Sequence, residues 1–168
     1  KKKLVNMTNI LIMRQEILLV SVILILLIAT IFEGNQGNKR TSLLGILLFA
    51  MLTLIGFLPN ETGSLFGGMY QVSDTTLMMK NFLNVGVLII MLQSSSWINS
   101  KDHPNNAGEF SIILLSTLLG MDYMISAGDF LMLFLGIELA TIPTAILAAY
   151  EVKKIKSIEA GSKLILLG

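Results

Sequence analysis

The 168-residue sequence contains no cysteine and one histidine. Disulfide scaffolds, Cys-based zinc sites, iron–sulfur clusters and thiol chemistry are therefore excluded, and a His-based metal site has little to draw on. No cofactor is expected in this chain, and no redox centre of its own. Charge is scarce as well: 14% of residues are charged, where a soluble domain carries about 25%. The net charge of +1 gives no basic field able to collect phosphates, so no nucleic-acid partner is expected.

What the sequence has instead is apolar length, 54% of it being hydrophobic. Five apolar runs occupy 17–32, 41–58, 81–98, 110–127 and 130–150, and they contain only two formal charges, Asp122 and Glu138. A helix of a soluble bundle needs one polar face, and these runs are apolar all round. Runs of 16 to 21 residues match a hydrocarbon core of about 30 Å at about 1.5 Å per residue. The expected fold is an all-α integral membrane protein, one membrane domain over 1–168, with five transmembrane helices and the start of a sixth at 157–168. A cleavable signal peptide is the alternative for the first run, but Glu33-Gly34-Asn35 follows it where small residues would be needed.

The connectors are short and rich in Gly, Asn, Asp, Pro, Ser and Lys, the residues that turn a chain. The first, third and fifth carry Lys39, Arg40, Lys101, Lys153, Lys154 and Lys156, whereas the second and fourth carry only Lys80, read as the edge of a span. The positive-inside rule places the first, third and fifth in the cytoplasm. Lys1, Lys2, Lys3 and Arg14 oppose that orientation, which a true start at Met7 resolves for the first three. Trp97, Tyr123 and Tyr150 fall near run ends, where amphipathic rings favour the headgroup layer.

Glu138 is the most informative residue. It is the ninth of its run, roughly 12 Å into the membrane at the helical rise. An ionised side chain there costs about 2.5 to 3.5 kcal/mol on insertion scales and is functional by default. Such a carboxyl can exchange a proton as a cation approaches or withdraws. Lys163 is the second candidate, with Glu159 four residues before it in the favourable order for a helical ion pair. Asp122, five residues from the end of its run beside Tyr123, is read as reaching the interface. Pro143 removes a backbone donor five residues after Glu138.

The stretch from Gly108 to Met121 (GEFSIILLSTLLGM), the block from Ala127 to Leu139 (AGDFLMLFLGIEL) and the block from Ser157 to Lys163 (SIEAGSK) resemble the antiporter-like membrane subunits of NADH-quinone oxidoreductase, respiratory complex I. Among these the chain looks most like subunit N, the ND-two type. The motifs cover 109–168; Gln15 to Leu18 and Asp74 to Phe82 only suggest the family's earlier spans. The resemblance implies that the chain is the N-terminal part of a roughly fourteen-helix fold. It also implies that Glu138 is the family's proton-channel glutamate and Lys163 a lysine of the same polar axis, with Glu138 facing the bundle interior and interacting with Lys163.

The implied function is proton translocation in a bacterial plasma (inner) membrane, driven by electron transfer elsewhere. The partners would be lipid and the other membrane subunits of complex I, where NADH, FMN, iron–sulfur clusters and quinone are handled. A subunit of a multisubunit cation/proton antiporter or membrane-bound hydrogenase is an alternative with the same chemistry in this chain. A non-transporting membrane scaffold, with Glu138 as an interhelical hydrogen-bonding group, is an alternative of another class.

Overall fold

The computed structural model describes residues 11–33, 38–98, 107–150 and 155–167. The N-terminal lysines, Met7 and most of the lysine-bearing connectors lie outside these. Among the described residues six α-helices follow in order: α1 (Arg14–Glu33), α2 (Asn38–Gly56), α3 (Asp74–Ile98), α4 (Ala107–Ile125), α5 (Phe130–Ala148) and α6 (Ile155–Leu167). By length and composition α1, α3, α4 and α5 can each cross a membrane; the apolar part of α2, Arg40–Gly56, is shorter.

Two features depart from the sequence expectation. The connector after α2 folds into an antiparallel hairpin of two three-residue strands, β1 (Gly63–Leu65) and β2 (Tyr70–Val72), so the described chain is not purely helical. Phe66, Gly67 and Gly68 all take positive φ in its turn, at 52°, 69° and 98°. Glycine is at ease there and Phe66 is strained. The helices also begin earlier than the apolar runs: α1 takes in Arg14, Gln15 and Glu16, and α3 starts at Asp74 and carries Lys80 inside it. A charge ends a hydropathy run without ending a helix. Ser73 caps α3 reciprocally with Thr76, the Thr76 amide donating to Ser73 Oγ at 3.3 Å and the Ser73 amide to Thr76 Oγ1 at 2.8 Å.

Helix α4 is the hub, touching α1, α2, α3 and α5. One apolar core is drawn from the first four helices, including Leu19, Leu26, Phe49, Met91, Leu115 and Leu118. Helix α5 packs on α4 through glycines: a Cβ on Gly120 would sit 2.7 Å from the Leu139 carbonyl carbon, and one on Gly136 would sit 2.8 Å from the Met124 amide nitrogen. Small residues let the two backbones approach. The outer surface is apolar, Phe82 and Phe130 being 80% and 81% exposed, which suits contact with lipid.

The hairpin locks onto the α4–α5 turn. The Gln71 amide donates to Ser126 O at 2.8 Å and the Gly128 amide to Met69 O at 2.7 Å, while Tyr70 and Ala127 form an isolated bridge. Asp129 then caps α5, its Oδ1 accepting from the Met132 amide at 2.8 Å. At the same end of the bundle Arg14 donates to the carbonyls of Ile55, Leu58 and Pro59. Gln15 and Asn81 both donate to Gly56 O. These side chains bind carbonyls in the last turn of α2 and in the residues just after it, where helical donors run out.

Candidate functional site

Glu138 lies in the middle of α5 on an exposed face, with Leu131, Phe134, Leu135 and Ile142 also exposed. It does not face the interior formed by these helices. Helix α5 turns its small residues, Gly136, Ala140 and Ala145, inward, and the larger side chains with Glu138 point away. Thr141 returns its hydroxyl to its own helix, donating to Ile137 O at 2.9 Å.

Lys163 is likewise exposed and forms the expected helical pair, 2.6 Å from Glu159 Oε1. Such a pair is worth a few tenths of a kcal/mol, about 0.2–0.5, on a helix. Among the described residues no ion pair joins Lys163 to Glu138. The reason is where α6 docks: a Cβ on Gly161 would meet Ala145 O at 2.8 Å and Ala149 Cβ at 2.6 Å, so α6 lies against the far part of α5. Ala145 is two helical turns beyond Glu138, about 10 Å.

The residues that do come together are ones to which the sequence reading gives no shared site: it places Asp122 and Lys80 at span edges and gives Glu16 no role. Beneath the hairpin, Glu16 of α1, Lys80 of α3 and Asp122 of α4 are each 1% exposed. Lys80 Nζ forms an ion pair with Glu16 Oε1 and donates to Tyr70 Oη at 3.2 Å. The ammonium also stands 5.2 Å from the Tyr70 ring centroid, within cation–π range. Asp122 is within electrostatic reach of both Lys80 and Glu16. Burial holds the Tyr70 hydroxyl far above the ordinary tyrosine range, with the Glu16 charge as the next cause, so it stays neutral.

Asp122 therefore does not reach the interface. The hairpin and the start of α5 cover the end of α4, and Tyr70 and Tyr123 meet edge to face at 6.4 Å. Lys80 is not the rim of a span either, since it sits six residues into α3. A usable signal was present in sequence: the Ser73-x-x-Thr76 pattern marks a helix start one and a half turns or more before Lys80.

Among the described residues no group of three or more His, Cys, Asp or Glu side chains could hold a metal ion.

No protein-family model matches the chain. It is 38% identical over 161 residues to the NADH-quinone oxidoreductase subunit N of Phocaeicola vulgatus, covering 96% of this chain and 34% of the relative. It is 37% identical over 163 residues to the subunit N of Azobacteroides pseudotrichonymphae, again covering 96% and 34%. The subunit N of Magnetococcus marinus is 36% identical over 164 residues, covering 95% and 33%. The similarity to subunit N thus runs along nearly the whole chain, the first three helices included, where the sequence motifs were faint. The chain spans about a third of the length of the curated relatives it matches.

Proposed function

We propose that this chain supplies the first five transmembrane helices and the beginning of a sixth of a proton-translocating subunit N of NADH-quinone oxidoreductase. Its similarity to subunit N over 96% of its residues is the observation that carries this reading. Its place would be a bacterial plasma membrane beside the other membrane subunits, with NADH, FMN, iron–sulfur clusters and quinone handled elsewhere in the complex.

Glu138 is the proposed proton carrier. A carboxyl in the middle of an apolar helix is costly and does nothing for the packing seen here, since the inward face of α5 is made by Gly136, Ala140 and Ala145. Facing outward, it is positioned to meet a polar group of a neighbouring helix across the α5 surface. Two charges about 4 Å apart at an effective dielectric near 20 interact by about 4 kcal/mol, so making or breaking one such contact changes proton affinity by up to about three pH units. Lys163 joins the path when its exposed side chain turns from Glu159 on the same helix towards that neighbouring group.

The test uses the full-length protein in its assembled complex. Glu138→Gln keeps the side-chain shape and removes the titratable proton, so NADH-driven proton pumping in proteoliposomes should fall several-fold. Glu159→Gln should leave it near the parental level. Parental pumping rate and proton-to-electron ratio in an assembled Glu138→Gln complex would refute the role given to this glutamate.

A further inference from the structure

We propose that Glu16, Lys80 and Asp122 form a second, buried proton-binding site, holding one exchangeable proton on their two carboxyl groups. It is separate from Glu138, lies at the hairpin end of the bundle, and does not depend on the function proposed above.

Charge balance is the first argument. The titratable groups that meet here are Glu16 from α1, Tyr70 from β2, Lys80 from α3, and Asp122 and Tyr123 from α4; Arg14 turns instead to the carbonyls ending α2. Tyr70 is neutral. Fully ionised, the two carboxylates and one ammonium would leave one uncompensated negative charge among side chains 1% exposed. Such a charge is strongly disfavoured in a low-dielectric interior. One added proton brings the cluster to neutrality, and two coupled carboxyls then share it as a unit.

Unmet hydrogen-bonding capacity is the second argument, and it is independent of charge. Glu16 Oε2, Asp122 Oδ1 and Asn84 Oδ1 are buried with no hydrogen-bond partner, and Ser126 Oγ is buried beside them within reach of the Tyr70 hydroxyl. Asn84 is one helical turn from Lys80 and Ser126 one turn from Asp122, so these oxygens share the faces that carry the charged groups. Every one of these oxygens can accept a hydrogen bond, and a proton placed on one carboxyl adds a short-range donor among them. Lys80 spends two of its three donors on Glu16 and Tyr70. The Tyr70 oxygen accepts from Lys80, which leaves its own proton free to donate.

The position suits exchange with water. Asp122 is three residues from the end of α4 and Lys80 six from the start of α3, about 5 and 9 Å from the helix ends. Among the described residues, the hairpin with Tyr70, the α4–α5 turn and the apolar side chains packed on Tyr70, Ile12 among them, stand between the cluster and the end of the bundle.

Infrared difference spectroscopy on the full-length protein in its native membranes, with pH stepped in sodium-free buffer, reads the proton directly. The expected result is a protonated-carboxyl band that bleaches as pH rises and disappears in Asp122→Asn or Glu16→Gln. Should those variants fail to accumulate, Asp122→Glu and Glu16→Asp keep the acid and should shift the same band while retaining its titration. A titrating carboxyl band unmoved by all of the variants that accumulate, or no titrating band, overturns the proposal. Loss of the parental band on adding sodium chloride at fixed pH, but not potassium chloride, also overturns it, because the compensating charge is then a sodium ion.

Discussion

Lys80 shows what one side chain must settle when it enters an apolar bundle. Its ammonium is compensated by Glu16 and by the Tyr70 hydroxyl and ring. Removing one member of a buried pair strands the other, which costs about 3–5 kcal/mol, whereas removing both can be nearly neutral. Lys80→Met in the full-length protein should therefore destabilise by roughly that amount, and Lys80→Met with Glu16→Gln by clearly less. A double-mutant cycle on thermal stability of the purified protein measures this; equal losses in the single and double variants would show that the pair carries no coupling. Tyr150 makes a second prediction at this scale. Its hydroxyl is pushed up to about 12, first by burial and then by the Glu109 charge. The raised value means the folded chain keeps a proton that the unfolded chain releases near 10.0. Its contribution to stability is thus full below about pH 10 and is lost as pH rises through the folded value. Tyr150→Phe should flatten the alkaline fall in stability over that window, as followed by pH-dependent thermal unfolding.

At the scale of helices, the α4–α5 contact depends on absent side chains. A Cβ on Gly120 would lie 2.8 Å from Ala140 Cα and 2.7 Å from the Leu139 carbonyl carbon, and backbone atoms cannot swing aside. Gly120→Ala should therefore force the helices apart at a cost of about 1–3 kcal/mol. Gly86 of α3 has open space around its would-be Cβ, so Gly86→Ala should be neutral or stabilising by up to about 1 kcal/mol, through helix propensity. Thermal stabilities of the two full-length variants test the contrast. The sequence made α4, α5 and the short turn between them legible, because Gly128-Asp129 separates two apolar runs with one charge each and Asp129 is a standard cap. It made the first and third helices legible in their apolar parts only. Marking boundaries at the first charge removed Glu16 and Lys80 from consideration, and with them the buried cluster. The hairpin was not legible, since strands of three residues with one alternation carry no periodicity to detect. Glu138 and Lys163 were legible as isolated charges on apolar helices, but their separation depends on where Gly161 seats α6 along α5, which spacing in the sequence does not contain.

Taken whole, the molecule reverses the soluble pattern. Gln15, Glu16, Lys80, Asn84, Asp122 and Ser126 are buried while Phe32, Leu54, Phe82 and Phe130 are exposed. In water that arrangement would expose its apolar faces to aggregation; in a bilayer the apolar faces meet lipid and the polar groups must find one another. Those six buried residues gather at one end, with Arg14, the hairpin and the Gly128-Asp129 turn, and Lys39, Arg40 and Lys156 lie at the helix ends opposite. With six Lys and Arg residues in the first, third and fifth connectors, the positive-inside rule predicts that opposite end in the cytoplasm and the hairpin end outside. Arg14 weighs little against this, because its guanidinium is committed to the carbonyls ending α2. The chain is free of cysteine, so single cysteines report position cleanly. Ser64→Cys on the exposed hairpin should react with a membrane-impermeant thiol reagent added to intact cells. Gln36→Cys and Asn105→Cys should react only after the membrane is opened. Labelling of Gln36→Cys and Asn105→Cys in intact cells, with Ser64→Cys protected, would invert the orientation and place the Glu16–Lys80–Asp122 cluster at the cytoplasmic end.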